Sequence, residues 1–208
     1  MQAQNHITTV TGTTQTIATF VLLLVAGSII SLVSVHLLDR DVKPTRDAVS
    51  DYGAREHAWF YRLTAIWLGF AGLLTAVVMA DAIFPKPTLT ILALLLFAAT
   101  RWAITIFPTD LEGEEETPVG HSHTVLAVIA FASIAIAAVT FSFAIADDPF
   151  WDASSGLLWA LAAFVSIAAA ATGIARAASN GYFGLIERLL YVAMYAWISA
   201  VALIVLTS

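Results

Sequence analysis

The chain contains no cysteine, and only 12% of its 208 residues are charged, whereas 60% are hydrophobic. The missing cysteines exclude disulfides, thiol catalysis and cysteine-ligated iron–sulfur clusters. A net charge of -6 excludes a basic nucleic-acid-binding surface. Walker loops, dinucleotide fingerprints and Gly-x-Ser-x-Gly nucleophile elbows are also missing. A soluble domain rarely has such a composition, so the chain is predicted to be an integral membrane protein.

Six long apolar runs account for most of the sequence, and each approaches the roughly 20 residues that a helix needs to cross a bilayer. They cover residues 17–38, 58–80, 88–107, 124–146, 155–175 and 185–206. They leave no room for a separate soluble domain. We therefore predict an all-α polytopic membrane protein, in which residues 1–208 form a single six-transmembrane-helix bundle.

Polar residues are concentrated on one side of this predicted bundle. Of the nine basic residues, only Lys86 falls in a loop on the same side as the two termini. The positive-inside rule then makes the basic side cytoplasmic and places both termini outside the cell membrane. Most carboxylates share the basic side, so a polar pocket is expected where the loops starting at Asp39 and Thr109 meet helices five and six.

Three residues on that side are candidates for acid–base chemistry or metal ligation, namely Asp51, Asp110 and His123. The candidate ligand-binding residues are Ser50, Tyr52, Arg62, Arg101, Glu187 and Arg188. Arginines in this set suit an anionic headgroup. If helix three ends at Phe107, Arg101 lies about 9 Å inside the membrane and needs a partner, which we expect to be Glu187. Ser50 or Asp51 is expected to cap the second helix.

The stretch TIFPTDLEGEEETPVGHSH, residues 105–123, separates helices three and four. Its glutamates at 112–116 are predicted to form a solvated loop. Thr117 and Pro118 make a sound helix start, which places two histidines in the first turns of helix four. Residues two apart point about 200° apart on a helix, so His121 and His123 do not suit one metal. His57, His121 and His123 are therefore weak metal candidates, and no cofactor is assigned.

Three short motifs accompany these candidates: Ser50-Asp51-Tyr52-Gly53, Phe107-Pro108-x-Asp110, and Gly120-x-x-His123 with Ala127. Together they resemble the pattern of the bacterial and archaeal membrane proteins catalogued as domain of unknown function family 998. The resemblance extends from about residue 17 through the sixth helix. It implies a six-helix bundle and supports Ser50, Asp110 and His123 as site positions, but it supplies no reaction.

Function remains open among several interpretations. The first is a polar pocket that binds a polar or amphipathic small molecule, such as a lipid headgroup, with catalysis undecided. The second is a noncatalytic subunit or scaffold that packs against a partner membrane protein or a second copy. Small residues repeat every four positions in helix five, at Ala162, Ser166 and Ala170 and again at Ala169, Gly173 and Ala177, as such packing requires. A metal-dependent intramembrane hydrolase is a weaker third, and a transporter is disfavoured by the lack of charge near mid-membrane.

Overall fold

The computed structural model describes residues 6–111, 115–178 and 181–208. Its helices are α1 (Gly12–Leu38), α2 (Ala58–Ala82), α3 (Thr88–Ala103), α4 (Pro118–Ala144), α5 (Asp152–Ala177) and α6 (Phe183–Leu206). A short 3₁₀ helix, Ser50–Ala54, precedes α2, and the two-residue strands β1 (Ile7–Thr8) and β2 (Ile83–Phe84) pair antiparallel. The predicted all-α polytopic bundle is confirmed. Five helices are long and apolar enough to span a membrane, and α3 is a shorter apolar helix.

The six helices pack in chain order and close into a ring, because α6 returns to contact α1. Helices α2 and α6 also touch each other across the ring. In each of these two helices 56% of the apolar span is buried, against 28% in α1 and α5. The core therefore lies between α2 and α6, and the other helices surround it.

The first and last described residues, His6 and Ser208, lie at one end of the bundle, which we call the terminal end. There the strand β1 binds β2, and Thr8 donates to Asp148 (2.6 Å) and accepts from the Trp151 indole (2.8 Å). Thr14 likewise donates to Asp81 at 2.8 Å. No sequence pattern predicts these contacts of the N-terminal segment with residues near the loops after α2 and α4. The loops after α1, α3 and α5 lie at the opposite end, which we call the polar end.

Several helix boundaries differ from the sequence-based expectation. The third helix ends at Ala103 rather than residue 107, because the N–H groups of Thr105 and Ile106 bond carbonyl oxygens three residues back, in tighter turns. Arg101 thus lies in the last turn. The predicted cap of the second helix was wrong: Ser50 and Asp51 belong to the 3₁₀ helix, and His57 is the residue before α2.

Helix α4 begins at the predicted Thr117–Pro118 start, six residues before the apolar run at 124–146. The Thr117 hydroxyl accepts the backbone N–H of Gly120 at 3.0 Å, and Pro118 is the first helical residue. Both features stabilise a helix N-terminus. His121 and His123 accordingly lie in the first two turns of α4. The predicted solvated loop falls partly on residues 112–114, which lie outside the described residues.

Candidate functional site

A cleft of about 890 Å³ separates α4 from α5 over the polar half of the bundle. Residues 145–151 join the two helices at the terminal end, and the cleft occupies the space between their other halves. Its α4 wall runs from Gly120 to Ile136 and its α5 wall from Ser166 to Ala177. The volume is near the upper end of the range for small-molecule pockets, roughly 300–1,000 Å³.

The cleft walls consist largely of small and apolar side chains. Ala127, Phe131 and Ala135 line the α4 side, and Ala169 and Gly173 line the α5 side. A Cβ atom added at Gly173 would meet no other atom within 4 Å. The small residues that predicted close helix packing therefore widen the cleft over this part of α5.

Two buried carboxylates close the polar end of the cleft. Asp51, from the 3₁₀ helix, accepts the backbone N–H of Ala48 at 3.1 Å. Glu187, from the first turns of α6, accepts the N–H of Val49 at 2.7 Å. Burial raises the pKa of Asp51 to about 6, mainly because desolvation disfavours the charged form. Asp51 and Glu187, two of the three predicted acidic residues, thus line one cleft together with Ser50.

Asp110 also borders the cleft, but its carboxylate is already engaged. Its Oδ2 accepts the N–H of Thr117 at 2.7 Å, and its Oδ1 accepts the Thr117 hydroxyl at 2.8 Å. These hydrogen bonds lower the pKa of Asp110 below its ordinary value. A Cβ atom at Gly120 would lie 2.0 Å from Asp110 Oδ2, so this arrangement requires glycine there. Asp110 therefore fixes the start of α4 and is a poor candidate for a free base.

His123 is buried on the α4 wall of the cleft. Its Nδ1 lies 2.7 Å from the carbonyl oxygen of Phe107. A carbonyl only accepts hydrogen bonds, so Nδ1 carries the proton, and Nε2 is the acceptor in the neutral ring. Of the three predicted acid–base residues, Asp51 and His123 are thus the ones whose chemistry remains available to the cleft.

Four predicted ligand-binding residues lie outside the cleft lining. Arg62 is exposed on the outside of α2, as expected of an arginine that reaches for the membrane surface. The hydroxyl of Tyr52 bonds His36 at 2.7 Å and Arg188 at 3.3 Å. Arg188 in turn donates to the carbonyl oxygens of Pro44, Asp47 and Gly184. Tyr52 and Arg188 therefore hold the loop after α1 against α6.

The predicted Arg101–Glu187 ion pair was wrong. Arg101, which is 1% exposed, donates to the hydroxyl of Tyr191 at 3.0 Å, and its guanidinium lies over that ring. Glu187 and Tyr191 are four residues apart and share a face of α6. The rotation of α6 directs Glu187 toward Val49 and brings Tyr191, one turn later, to Arg101.

The weak metal candidates do not converge. His57 bonds Asp39 at 2.6 Å, His121 bonds Glu116 at 2.9 Å, and His123 bonds the Phe107 carbonyl. Within residues 6–111, 115–178 and 181–208, no group of three His, Cys, Asp or Glu side chains is placed to hold a metal ion. The three histidines thus have separate local partners.

A second pocket, which we call the vestibule, adjoins the cleft at the polar end. It has about 400 Å³ and is lined by Asp41, Lys43, Arg46, Asp47, Asp51, Arg55 and Leu111. Arg46, Asp51 and Leu111 line both spaces. Arg46 and the cleft residue Arg176 were not among the predicted ligand-binding residues. Arg46 follows the end of α1 and Arg176 lies in the last turn of α5, both at the polar end near other candidates. This position was the sequence signal that could have identified them.

The residues of the three sequence motifs meet at the polar end of the cleft. The carbonyl oxygen of Phe107 accepts from His123, and the Asp110 carboxylate packs against Gly120. Asp51 and Glu187 line the polar end, which we call the floor of the cleft. Residues 17–204 match the family described as "Protein of unknown function (DUF998)". The chain belongs to this family. The match includes most of α1 and all of α2 to α5, and it ends within α6.

No curated protein and no solved structure matches the chain. Membership of DUF998 agrees with the membrane-type helices and assigns no activity. In this DUF998 chain, Gly53 also has a steric role, since a Cβ there would lie 2.8 Å from the Tyr61 ring. The tight contact seats the 3₁₀ helix that carries Asp51.

Proposed function

We propose that this protein binds a polar or amphipathic small molecule, with a headgroup at the polar end and an apolar portion between α4 and α5. The observation that carries the proposal is the continuity of the cleft. One space joins the buried polar side chains of Asp51, His123 and Glu187 to walls of alanine, glycine and phenylalanine. Ligand pockets commonly combine apolar walls with a few convergent polar groups.

Exposure of the cleft wall supports entry from the bilayer. Val128 and Ile136 line the cleft and are 60% and 47% exposed. Val125 lies three residues before Val128, on the same face of α4, and is exposed outside the cleft. The cleft is therefore continuous with the outer surface of the bundle, and membrane lipids are the nearest source of an amphipathic ligand.

An apolar helix from a partner protein or a second copy is the competing occupant. Such a helix would cover Asp51 and Glu187 without supplying polar partners, and buried polar groups without partners are costly. A ligand with a polar headgroup avoids this cost, so we favour a small molecule over the scaffold interpretation.

Filling the cleft tests this proposal. We expect the wild type to retain an amphipathic molecule on purification. In Gly173→Leu the new side chain projects into the cleft, and that molecule should be lost. Gly156→Leu is the matched control, because Gly156 lies on the same helix outside the cleft and a Cβ there also meets nothing within 4 Å. The measurement is native mass spectrometry of both proteins after gentle detergent extraction. Equal retention of the copurifying molecule by both variants would contradict the proposal.

The orientation we propose has the polar end at the cytoplasmic face of the cell membrane and both termini outside. Basic residues at the polar end support it, since Lys86 is the one basic residue at the terminal end. Arg101 and Arg188 have structural partners and are therefore weaker evidence for topology. When both are left out of the count, most basic residues still lie at the polar end.

Single cysteines test the orientation cleanly because the chain has none of its own. In intact cells a membrane-impermeant maleimide should label Ser208→Cys, at the terminal end. Thr45→Cys, at the exposed polar end, should react only after the membrane is permeabilised. The reverse pattern would invert the proposed topology.

A further inference from the structure

The polar floor of the cleft holds two buried carboxylates that form no ion pair with a Lys or Arg among the described residues. Asp51 is 7% exposed and Glu187 is 4% exposed. Each accepts one backbone N–H, from the adjacent residues Ala48 and Val49. Neither forms an ion pair with a Lys or Arg in the part of the chain that the structure describes. A buried carboxylate is costly unless it is paired or protonated.

The cations nearest to this floor act at longer range. Arg188 is committed to three carbonyl oxygens and Tyr52, and Arg101 to Tyr191. Arg176 lies over the ring of Phe183, with 5.9 Å between the guanidinium carbon and the ring centroid. Arg55 borders the vestibule, as does Arg46, which is exposed. These side chains moderate the field at the floor but leave the carboxylates without direct cationic contacts.

The ligand can supply what the floor lacks. Asp51 Oδ1 has no hydrogen-bond donor among the described residues, and Asp51 borders both the cleft and the vestibule. An N–H donor that carries positive charge would form charge-assisted hydrogen bonds there, which are stronger than neutral ones. The walls beyond the floor are apolar, so the rest of such a ligand would be a hydrocarbon chain.

We propose that the cleft takes an amphiphile with a protonated amine, whose ammonium lies at Asp51 and Glu187 while its apolar chain lies between α4 and α5. This inference rests on the proposed function and names the ligand class of the same cleft. It differs from the sequence-based expectation of an anionic headgroup held by Arg62, Arg101 and Arg188. Those arginines lie outside the cleft lining, and the carboxylates form its floor.

Three probes of equal chain length test the charge preference: octylamine, octanol and octyl phosphate. Each is titrated by calorimetry into the protein in maltoside micelles, and the Gly173→Leu protein reports partition into the micelle alone. Wild type should bind octylamine at least about tenfold more tightly than octanol, and octyl phosphate most weakly. Equal affinity for amine and alcohol, or preference for the phosphate, would overturn the inference.

Isosteric amide substitutions test whether the floor carboxylates cause the preference for octylamine. Asp51→Asn and Glu187→Gln retain a carbonyl acceptor for Ala48 and Val49, so the backbone contacts can persist. Each variant should lose most of the preference for amine while still binding octanol. Glu116→Gln is the control, since Glu116 lines the cleft but is exposed and paired with His121. An undiminished preference in both floor variants would refute the assignment, and circular dichroism of each variant checks its folding.

Acidity provides an independent readout. Because the pKa of Asp51 is raised to about 6, its carboxylate gains a proton as the pH falls through that value. An alkylamine, similar to a lysine side chain, remains protonated throughout this range. Octylamine affinity should therefore fall as the pH is lowered from 7.5 to about 5, whereas octanol affinity should not change. Octylamine affinity that does not vary with pH would count against a role for Asp51.

The outcomes also separate this inference from the proposed function. If wild type and Gly173→Leu give the same signal with all three probes, the cleft binds no amphiphile and both fail. If octanol binding needs the open cleft but octylamine gains nothing over it, the proposed function survives and the amine class is wrong.

Discussion

Replacing Arg188 with alanine is expected to destabilise the protein by about 2–3 kcal/mol, in line with losing hydrogen bonds to a charged group at a partly exposed site. Its guanidinium joins Pro44, Asp47 and Gly184, and it also reaches Tyr52. Among the described residues, the hydrogen bonds that still join the loop after α1 to the start of α6 would then be those from Gly184 to Arg46, from Leu185 to Thr45 and from Val49 to Glu187. The loop carries Asp51, so cleft binding should weaken as well.

Thermal unfolding in detergent measures this effect. For a chain of this size the loss corresponds to a fall in melting temperature on the order of 10 °C. Arg62→Ala is the control, because Arg62 has the same charge and is exposed on the outside of α2. It should change the melting temperature by no more than a degree or two. Similar melting temperatures for the two variants would mean that Arg188 does not hold the loop.

Gly120→Ala is expected to destabilise the start of α4, where it borders the cleft. The added Cβ would lie 2.0 Å from Asp110 Oδ2, so Asp110 must leave Thr117. Overpacking and loss of a helix cap each cost about 1–3 kcal/mol. We expect destabilisation of about 2 kcal/mol and loss of the copurifying molecule, because α4 begins at this contact.

A double-mutant cycle with Asp110→Ala tests the cause. Once the carboxylate is gone, the methyl group meets no oxygen there, and adding Gly120→Ala should cost little further stability. Gly156→Ala controls for the change of glycine to alanine on a helix and should be neutral or slightly stabilising. Additive losses from Gly120→Ala and Asp110→Ala would show that steric conflict between the two residues is not the reason.

Much of the fold was predictable because long apolar runs carry a strong signal. The starts of α2 and α3 and the ends of α1 and α6 agree with the prediction, and α4 began at the predicted Thr117 cap. The sequence predicts the end of α3 at Phe107, before Pro108, but the helix already ends at Ala103. No pattern predicts strands β1 and β2, since two-residue strands have no periodicity and all of α1 and α2 lies between them in the chain.

The candidate site was predictable in part. Asp51, His123 and Glu187 line the cleft, whereas the position of Arg101 depends on how α3 and α6 rotate against each other. That rotation brings Tyr191 rather than Glu187 to Arg101, and sequence spacing alone does not predict it. Small residues on α5 were equally ambiguous, because the sequence shows their size and not whether a neighbouring helix approaches them.

The most direct test of the account is a density map of the protein in lipid nanodiscs. We predict elongated density between α4 and α5, with its polar end at Asp51 and Glu187 and its apolar end near Ile136. Helices α4 and α5 packed together along their whole length, or a helix of a second copy in the space between them, would contradict the proposed binding cleft.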